Sequence, residues 1–250
     1  MSNKKHAEKK RAHRKGDGKH QSESPKPDVT RLPMAAPNMR IGLLGGSFNP
    51  PHDAHRAISL TALKRLGLDQ VWWLVTPGNP LKDATRLPSL ASRIEAARDL
   101  ARHPRIAVSG FEAGSGSAYT VDLLAELKRR FPGVNFVWLM GADNLAQFDR
   151  WRAWEEIFAA VPIAVLDRPG FRLKARAGKA AQRFAAYQVD ESDARGLARL
   201  EPPAWTILTH TVSRLSSTEL RARQANTPGK AKRDKAGDRG TRLKKKAKRH

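Results

Sequence analysis

His52 and His55 stand three residues apart in GGSFNPPHDAH (residues 45–55), just after two glycines and two prolines. On a helix that spacing puts both imidazoles on one face, within reach of a common ligand. Such a pair can ligate a metal, exchange protons, or donate hydrogen bonds to an anion. Zinc needs three or four ligands; this stretch supplies two, and the chain has no cysteine, so no metal site is expected. Covalent catalysis is not expected either, because no serine, cysteine or carboxylate of the stretch is set up for activation by a base. The surrounding residues suit an anion better. Gly45 and Gly46 permit close backbone approach, and Pro50 and Pro51 suit the start of a helix, where a missing N–H costs nothing. The N–H groups of a helix N-terminus attract phosphate. On this stretch alone, a helix-capping His52 and a packed or surface His55 remain an open alternative.

Four further stretches contain residues of chemical interest. In RLSSTELRAR (214–223), Ser216, Ser217 and Thr218 resemble N-cap residues opening a helix, and Arg221 follows about one turn later with a fork suited to phosphate oxygens. GSAYTVDLLAEL (116–127) carries Tyr119 and Thr120 at a helix start. GADNLAQFDRWRAWEEI (141–157) carries Asp143, which could equally cap a helix after Gly141, and Trp151 and Trp154, whose spacing also suits a packed core. TPGNPLK (76–82) ends on Lys82, and loop lysines are ordinarily solvated.

The elements that must hold these residues are legible as alternating apolar runs and helix-patterned segments. Runs at 40–46, 71–77, 105–110, 134–141, 162–170 and 205–210 are rich in Val, Ile, Leu and Trp, lack polar alternation and end near Gly or Pro. They read as strands buried on both faces. Helical patterns occupy 53–66, 89–103, 120–131, 142–160, 173–186 and 216–224. This order predicts an α/β fold: a single Rossmann-like domain with a doubly wound parallel sheet and helices on both faces. Ligands of such sheets bind beyond the carboxyl ends of the strands, at the switch point, which is where the opening stretch falls.

The formal charge of +23 is unevenly spread. Residues 1–20 hold eight Lys/Arg against two acids and residues 226–250 eleven against two, leaving about +7 on residues 41–225. Ends so poor in aliphatic residues cannot offset the entropy of ordering. The expected division is a disordered basic extension over 1–38, one domain over 39–225, and a disordered basic tail over 226–250. Such tails either solubilise the chain or bind nucleic acid electrostatically. The N-terminus lacks the apolar segment of a secretory signal, and the longest apolar stretch, 158–166, is too short to span a bilayer and contains Pro162. No membrane association and a cytoplasmic location are expected, and a homo-oligomer is compatible with the sequence.

GSFNPPHDAH resembles the GxFDPxHxGH signature of the nucleotidyltransferase superfamily, and RLSSTELRAR resembles its ISSTxIR element. The segments at 116–127 and 141–157 are similar to the SYTxDTL and GxDxLxxFxxWxxWxxI segments of nicotinate-nucleotide adenylyltransferases. Together the resemblance covers about residues 40–223. It implies adenylyl transfer from ATP, carried with Mg²⁺, to nicotinate mononucleotide, by direct in-line attack of the mononucleotide phosphate on the α-phosphorus. It also implies roles: His52, His55 and Arg221 in catalysis; Ser216, Ser217, Thr218 and Arg221 on the ATP phosphates; Gly45, Gly46, Ser47 and Phe48 along the mononucleotide. Tyr119 and Thr120 would meet the nicotinate carboxylate, Trp151 would stack on the pyridine, Asp143 would contact ribose or support the site, and Lys82 would approach a phosphate. Asn49 stands where the signature has aspartate and Ala54 where it has glycine. Two other readings remain: a relative acting on another acceptor, such as phosphopantetheine, and a nucleic-acid-binding protein working through its basic tails.

Overall fold

The computed structural model describes residues 30–77, 87–111, 119–168 and 170–209. Six parallel strands form one sheet: β1 (Arg40–Gly46), β2 (Gln70–Val75), β3 (Ile106–Ser109), β4 (Asn135–Gly141), β5 (Ile163–Leu166) and β6 (Trp205–Leu208). Their spatial order is β3-β2-β1-β4-β5-β6, so the winding reverses between β1 and β4, the place where doubly wound sheets bind ligands. β1 stays paired with β2 up to Gly46–Val75. Its pairing with β4 stops at Leu43–Trp138, although β4 continues to Gly141. The carboxyl ends of the two central strands therefore part, and a crevice opens between them.

Strand pleating explains the unbroken apolar runs. Successive side chains point to opposite faces: Trp72 and Leu74 join one core layer, and Val71, Trp73 and Val75 join the other. The second layer is covered by α1 (Asp53–Arg65), α2 (Leu90–Ala101) and a 3₁₀ segment over Glu191–Arg199. The first is covered by α3 (Thr120–Arg130), α4 (Ala142–Leu145), α5 (Trp154–Ala160), α6 (Arg172–Ala177) and α7 (Lys179–Arg183). The buried indoles retain partners where the core allows: Trp72 Nε1 donates to Gln70 Oε1 at 2.9 Å and Trp205 Nε1 to the Phe184 carbonyl at 2.8 Å.

Two expected helices are broken. The segment 142–160 divides into α4, a 3₁₀ turn over Phe148–Arg150, and α5. Trp151 is extended, and Ala153 lies at φ 51°, in the left-handed region that no right-handed helix can include. This turn sends Phe148 fully into the core and sets the Trp151 ring 4.9 Å from it, with its other contact against Trp138 at 6.4 Å. The segment 173–186 divides at Gly178, which is extended. A Cβ at Gly178 would stand 3.2 Å from the Ala175 carbonyl oxygen and 3.3 Å from Ala146 Cα, so the chain passes α4 too closely for a side chain. The Glu191–Arg199 segment was not expected; its Asp190 cap accepts from the Ser192 N–H at 2.8 Å, and Ala194, Leu197 and Ala198 are buried. The expected helix at 216–224, the tail over 226–250 and residues 1–29 of the N-terminal extension lie outside the described residues. Residues 30–38 correct the expectation of disorder up to 38: Leu32 and Ala35 pack against the core, the Arg31 carbonyl accepts from Ser109 Oγ at 2.9 Å, and the Asn38 N–H donates to the Gly133 carbonyl at 2.7 Å.

Candidate active site

His52 is the N-cap of α1, in extended conformation, and His55 lies in the first turn, their ring centroids 3.9 Å apart. The His52 backbone N–H donates to His55 Nδ1 at 3.2 Å. A ring whose Nδ1 accepts keeps its proton on Nε2, so neutral His55 presents an Nε2–H donor. Burial holds the His55 imidazole neutral, pushing it down to about 3, and the charges of His52 and Arg168 act in the same direction. At neutral pH this residue is a fixed hydrogen-bond donor and not a proton reservoir.

The ring is held from behind. Phe48 lies 4.7 Å from it and stacks on Trp73 at 5.1 Å. Trp73 Nε1 donates to Ser59 Oγ at 2.7 Å, and that hydroxyl donates to the His55 carbonyl at 2.9 Å. Phe48 reaches its place at φ 45°, a conformation costing an L-residue about 1–2 kcal/mol, and strain of this kind gathers at functional sites. Ala54, where the signature has glycine, is buried within α1; Asn49 is half-buried in the turn before it.

Gly45 serves the packing beneath the site. A Cβ there would meet Trp138 Cη2 at 2.7 Å, so the indole under the crevice requires a glycine above it. Gly46 and Ser47 are half-buried and carry the chain from β1 into the Phe48 turn.

The residues expected on the acceptor side come from the start of α3, from the turn after α4 and from the carboxyl end of β4. Tyr119 is the N-cap of α3 and Thr120 its first residue. The Arg152 guanidinium lies 4.5 Å above the Tyr119 ring and 3.8 Å from Asp122, which brings the start of α3 to the turn carrying Trp151. Trp151 is half-buried, with its edge against Trp138. Asp143, at the carboxyl end of β4, accepts from Arg168 at 2.8 Å. Lys82, Ser216, Ser217, Thr218 and Arg221 lie outside the described residues.

Two arginines of the site escaped the sequence reading. Arg168 follows β5, pairs with Asp143 and is near enough for its charge to act on His55; the only signal was a cation just past a buried strand. Arg93 is 3 % exposed on the inner face of α2 beside Ile94 and Ala97. A cation within an apolar helical stripe was the signal there. Among the described residues no group of three or more His, Asp or Glu side chains is gathered to hold a metal ion, and no helix is long and apolar enough to cross a membrane.

A parallel sheet with its switch point at β1/β4, and a helix N-terminus presenting two imidazoles there, define the class as a Rossmann-like nucleotide-binding protein. The family model described as Cytidylyltransferase-like matches residues 43–223. The "Probable nicotinate-nucleotide adenylyltransferase" of Methylorubrum extorquens (strain PA1) is 57% identical over 185 residues, covering 74% of this chain and 100% of that protein. Its namesake from Bradyrhizobium sp. (strain ORS 278) is 59% identical over 183 residues, covering 73% and 95%. The chain belongs to the cytidylyltransferase-like family and, within it, to the nicotinate-nucleotide adenylyltransferases. Among solved structures, the Plasmodium falciparum nicotinic acid mononucleotide adenylyltransferase complexed with NaAD superposes with a TM-score of 0.56 at 18% identity, covering 74% of this chain and 83% of that one. At that identity the likeness is one of fold.

Proposed function

We infer that this protein transfers the adenylyl group of ATP to nicotinate mononucleotide, forming nicotinate adenine dinucleotide and pyrophosphate, a step of NAD biosynthesis. The observation that carries this reading is 57% identity to a relative of that name along its whole length. A phosphate oxygen of the mononucleotide attacks the α-phosphorus in line, a new P–O bond forms, and the bond to pyrophosphate breaks. Reactions of this type need alignment and neutralisation of charge more than a protein nucleophile. His55, neutral with its donor on Nε2, supplies a hydrogen bond to phosphate oxygens without a proton-transfer step, and the N-terminus of α1 adds its dipole. Mg²⁺ enters with the triphosphate as part of the substrate. Arg221, with Ser216, Ser217 and Thr218, completes the grip on the β- and γ-phosphates, and Lys82 approaches a phosphate. Gly46, Ser47 and Phe48 follow the mononucleotide, Trp151 stacks on its pyridine, Tyr119 and Thr120 face its carboxylate, and Asp143, oriented by Arg168, serves the ribose. A cytoplasmic location is part of the same proposal.

The test is pyrophosphate release from MgATP with a panel of acceptors: nicotinate mononucleotide, nicotinamide mononucleotide and phosphopantetheine. Nicotinate mononucleotide is expected to give the highest kcat/KM. Turnover with phosphopantetheine and neither mononucleotide would overturn the reading.

A further inference from the structure

Arg93 is a buried cation that the transfer chemistry above does not use. Its Nη1 donates to the Ser47 carbonyl at 2.8 Å and to the Thr76 carbonyl at 2.7 Å; its Nη2 donates to Pro77 at 3.0 Å, and its Nε to Pro88 at 3.1 Å. No carboxylate among the described residues pairs with it, and burial alone lowers its pKa. Taking an uncompensated charge out of water is costly, and an apolar side chain on α2 would pack against Ile94 and Ala97 without that cost. What the arginine does uniquely is hold several carbonyls with one rigid planar fork. Those carbonyls belong to the chain leaving β1, the chain leaving β2, and the chain entering α2. Ser47 sits between Gly46, the last residue of β1, and Phe48, whose left-handed turn backs the His55 ring.

We propose that Arg93 is a positioning residue for adenylyl transfer: its guanidinium fixes the Ser47 carbonyl against the β2 exit and thereby sets the Gly46–Phe48 turn on which the placement of His55 and of the bound mononucleotide depends. The inference rests on the function proposed above, though the geometric part stands without it. Lysine keeps the charge but offers no fork, so it cannot span carbonyls on three stretches of chain. Reacting groups misplaced by about 1 Å lose ~10²-fold in rate, so the deficit belongs in kcat.

The experiment compares wild type, Arg93→Lys and Arg93→Gln as full-length proteins. Circular dichroism and melting establish that each is folded, steady-state kinetics follow ATP and nicotinate mononucleotide separately, and amide hydrogen exchange is read at Gly46, Ser47 and Phe48. The expected result is a folded Arg93→Lys with kcat reduced ~10-fold or more, a smaller change in both KM values, and faster exchange at those three amides while the strand interiors stay protected. A folded variant with kcat reduced less than about five-fold, or with unchanged exchange at the turn, would overturn the proposal. So would failure of both variants to fold, which would make the arginine a purely structural residue. If wild type itself turns over neither mononucleotide, the functional reading fails, and the exchange data alone decide whether Arg93 holds the turn.

Discussion

In the proposed mechanism His55 carries the central hydrogen bond, and its environment removes the ambiguity that an isolated histidine carries. Burial makes the charged form expensive, the His52 amide occupies Nδ1, and Phe48 and Trp73 fix the ring plane. A donor fixed in place beforehand costs no reorganisation at the transition state, and removing one such donor typically costs ~10²–10³-fold in kcat. His55→Gln is therefore expected to fold and to lose about that factor in kcat, read by pyrophosphate release; a rate near wild type would reassign the residue to packing. The same burial has a pH signature. The unfolded imidazole titrates near 6.5 and the folded one near 3, so in that window the unfolded chain binds a proton that the folded chain refuses. Stability falls as pH drops from 6.5 toward 3. His55→Gln lacks this term, so between pH 7 and 4.5 the wild type should lose more urea-midpoint stability than the variant. Parallel losses would mean that His55 is solvated in the folded protein.

The strands were legible because all but the edge strand β3, whose Ala107 and Val108 are half-buried, have their interiors buried on both faces, and unbroken runs such as VWWLV have few other uses in a chain with helix-patterned segments between them. On the other side of the sheet α3 was legible as a whole helix, expected at 120–131 and found at Thr120–Arg130, whereas α4 to α7 were legible only as two longer segments. Nothing local in NLAQFDRWRAWEE signals the left-handed Ala153 or the extended Trp151; those follow from where Phe148 and Trp151 find room against Trp138. The histidine pair could be found from its spacing and context, whereas Arg93 and Arg168 act through carbonyls and a carboxylate distant in sequence. Gly45 shows a similar limit. It reads as a residue for close substrate approach, yet its immediate constraint comes from β4 below, where a methyl group would stand 2.7 Å from Trp138 Cη2. The indole is itself packed against Trp151, so it has little freedom to yield. Gly45→Ala is expected to cost ~1–3 kcal/mol through overpacking, measured by urea unfolding, and to disturb the Trp151 side of the crevice. An unchanged midpoint would show that the ring moves freely.

Across the whole chain, the charge and the catalytic fold occupy different stretches. The family match ends at residue 223, just past Arg221, and the whole length of one family member is accounted for by 74% of this chain. Residues 226–250, with eleven Lys/Arg against two acids, follow both the match and the proposed phosphate grip. Deleting them should leave kcat and both KM values close to those of the full chain, because no residue assigned to substrate is lost. Any affinity for nucleic acid should behave differently. A tail neutralising about 6–10 phosphates loses ~10³-fold or more in affinity between roughly 50 and 200 mM salt, and the protein lacking residues 226–250 should bind more weakly with a shallower salt dependence, keeping only what the eight Lys/Arg of residues 1–20 supply. Titration of both proteins with duplex DNA at several salt concentrations, beside turnover with MgATP and nicotinate mononucleotide, separates the two roles. Truncation that abolishes turnover would bring the tail into the active site and redraw the boundary of the catalytic unit; DNA binding that survives with an unchanged salt dependence would assign the basic surface to residues 1–20 or to the α/β domain, whose share of the charge is about +7 over residues 41–225.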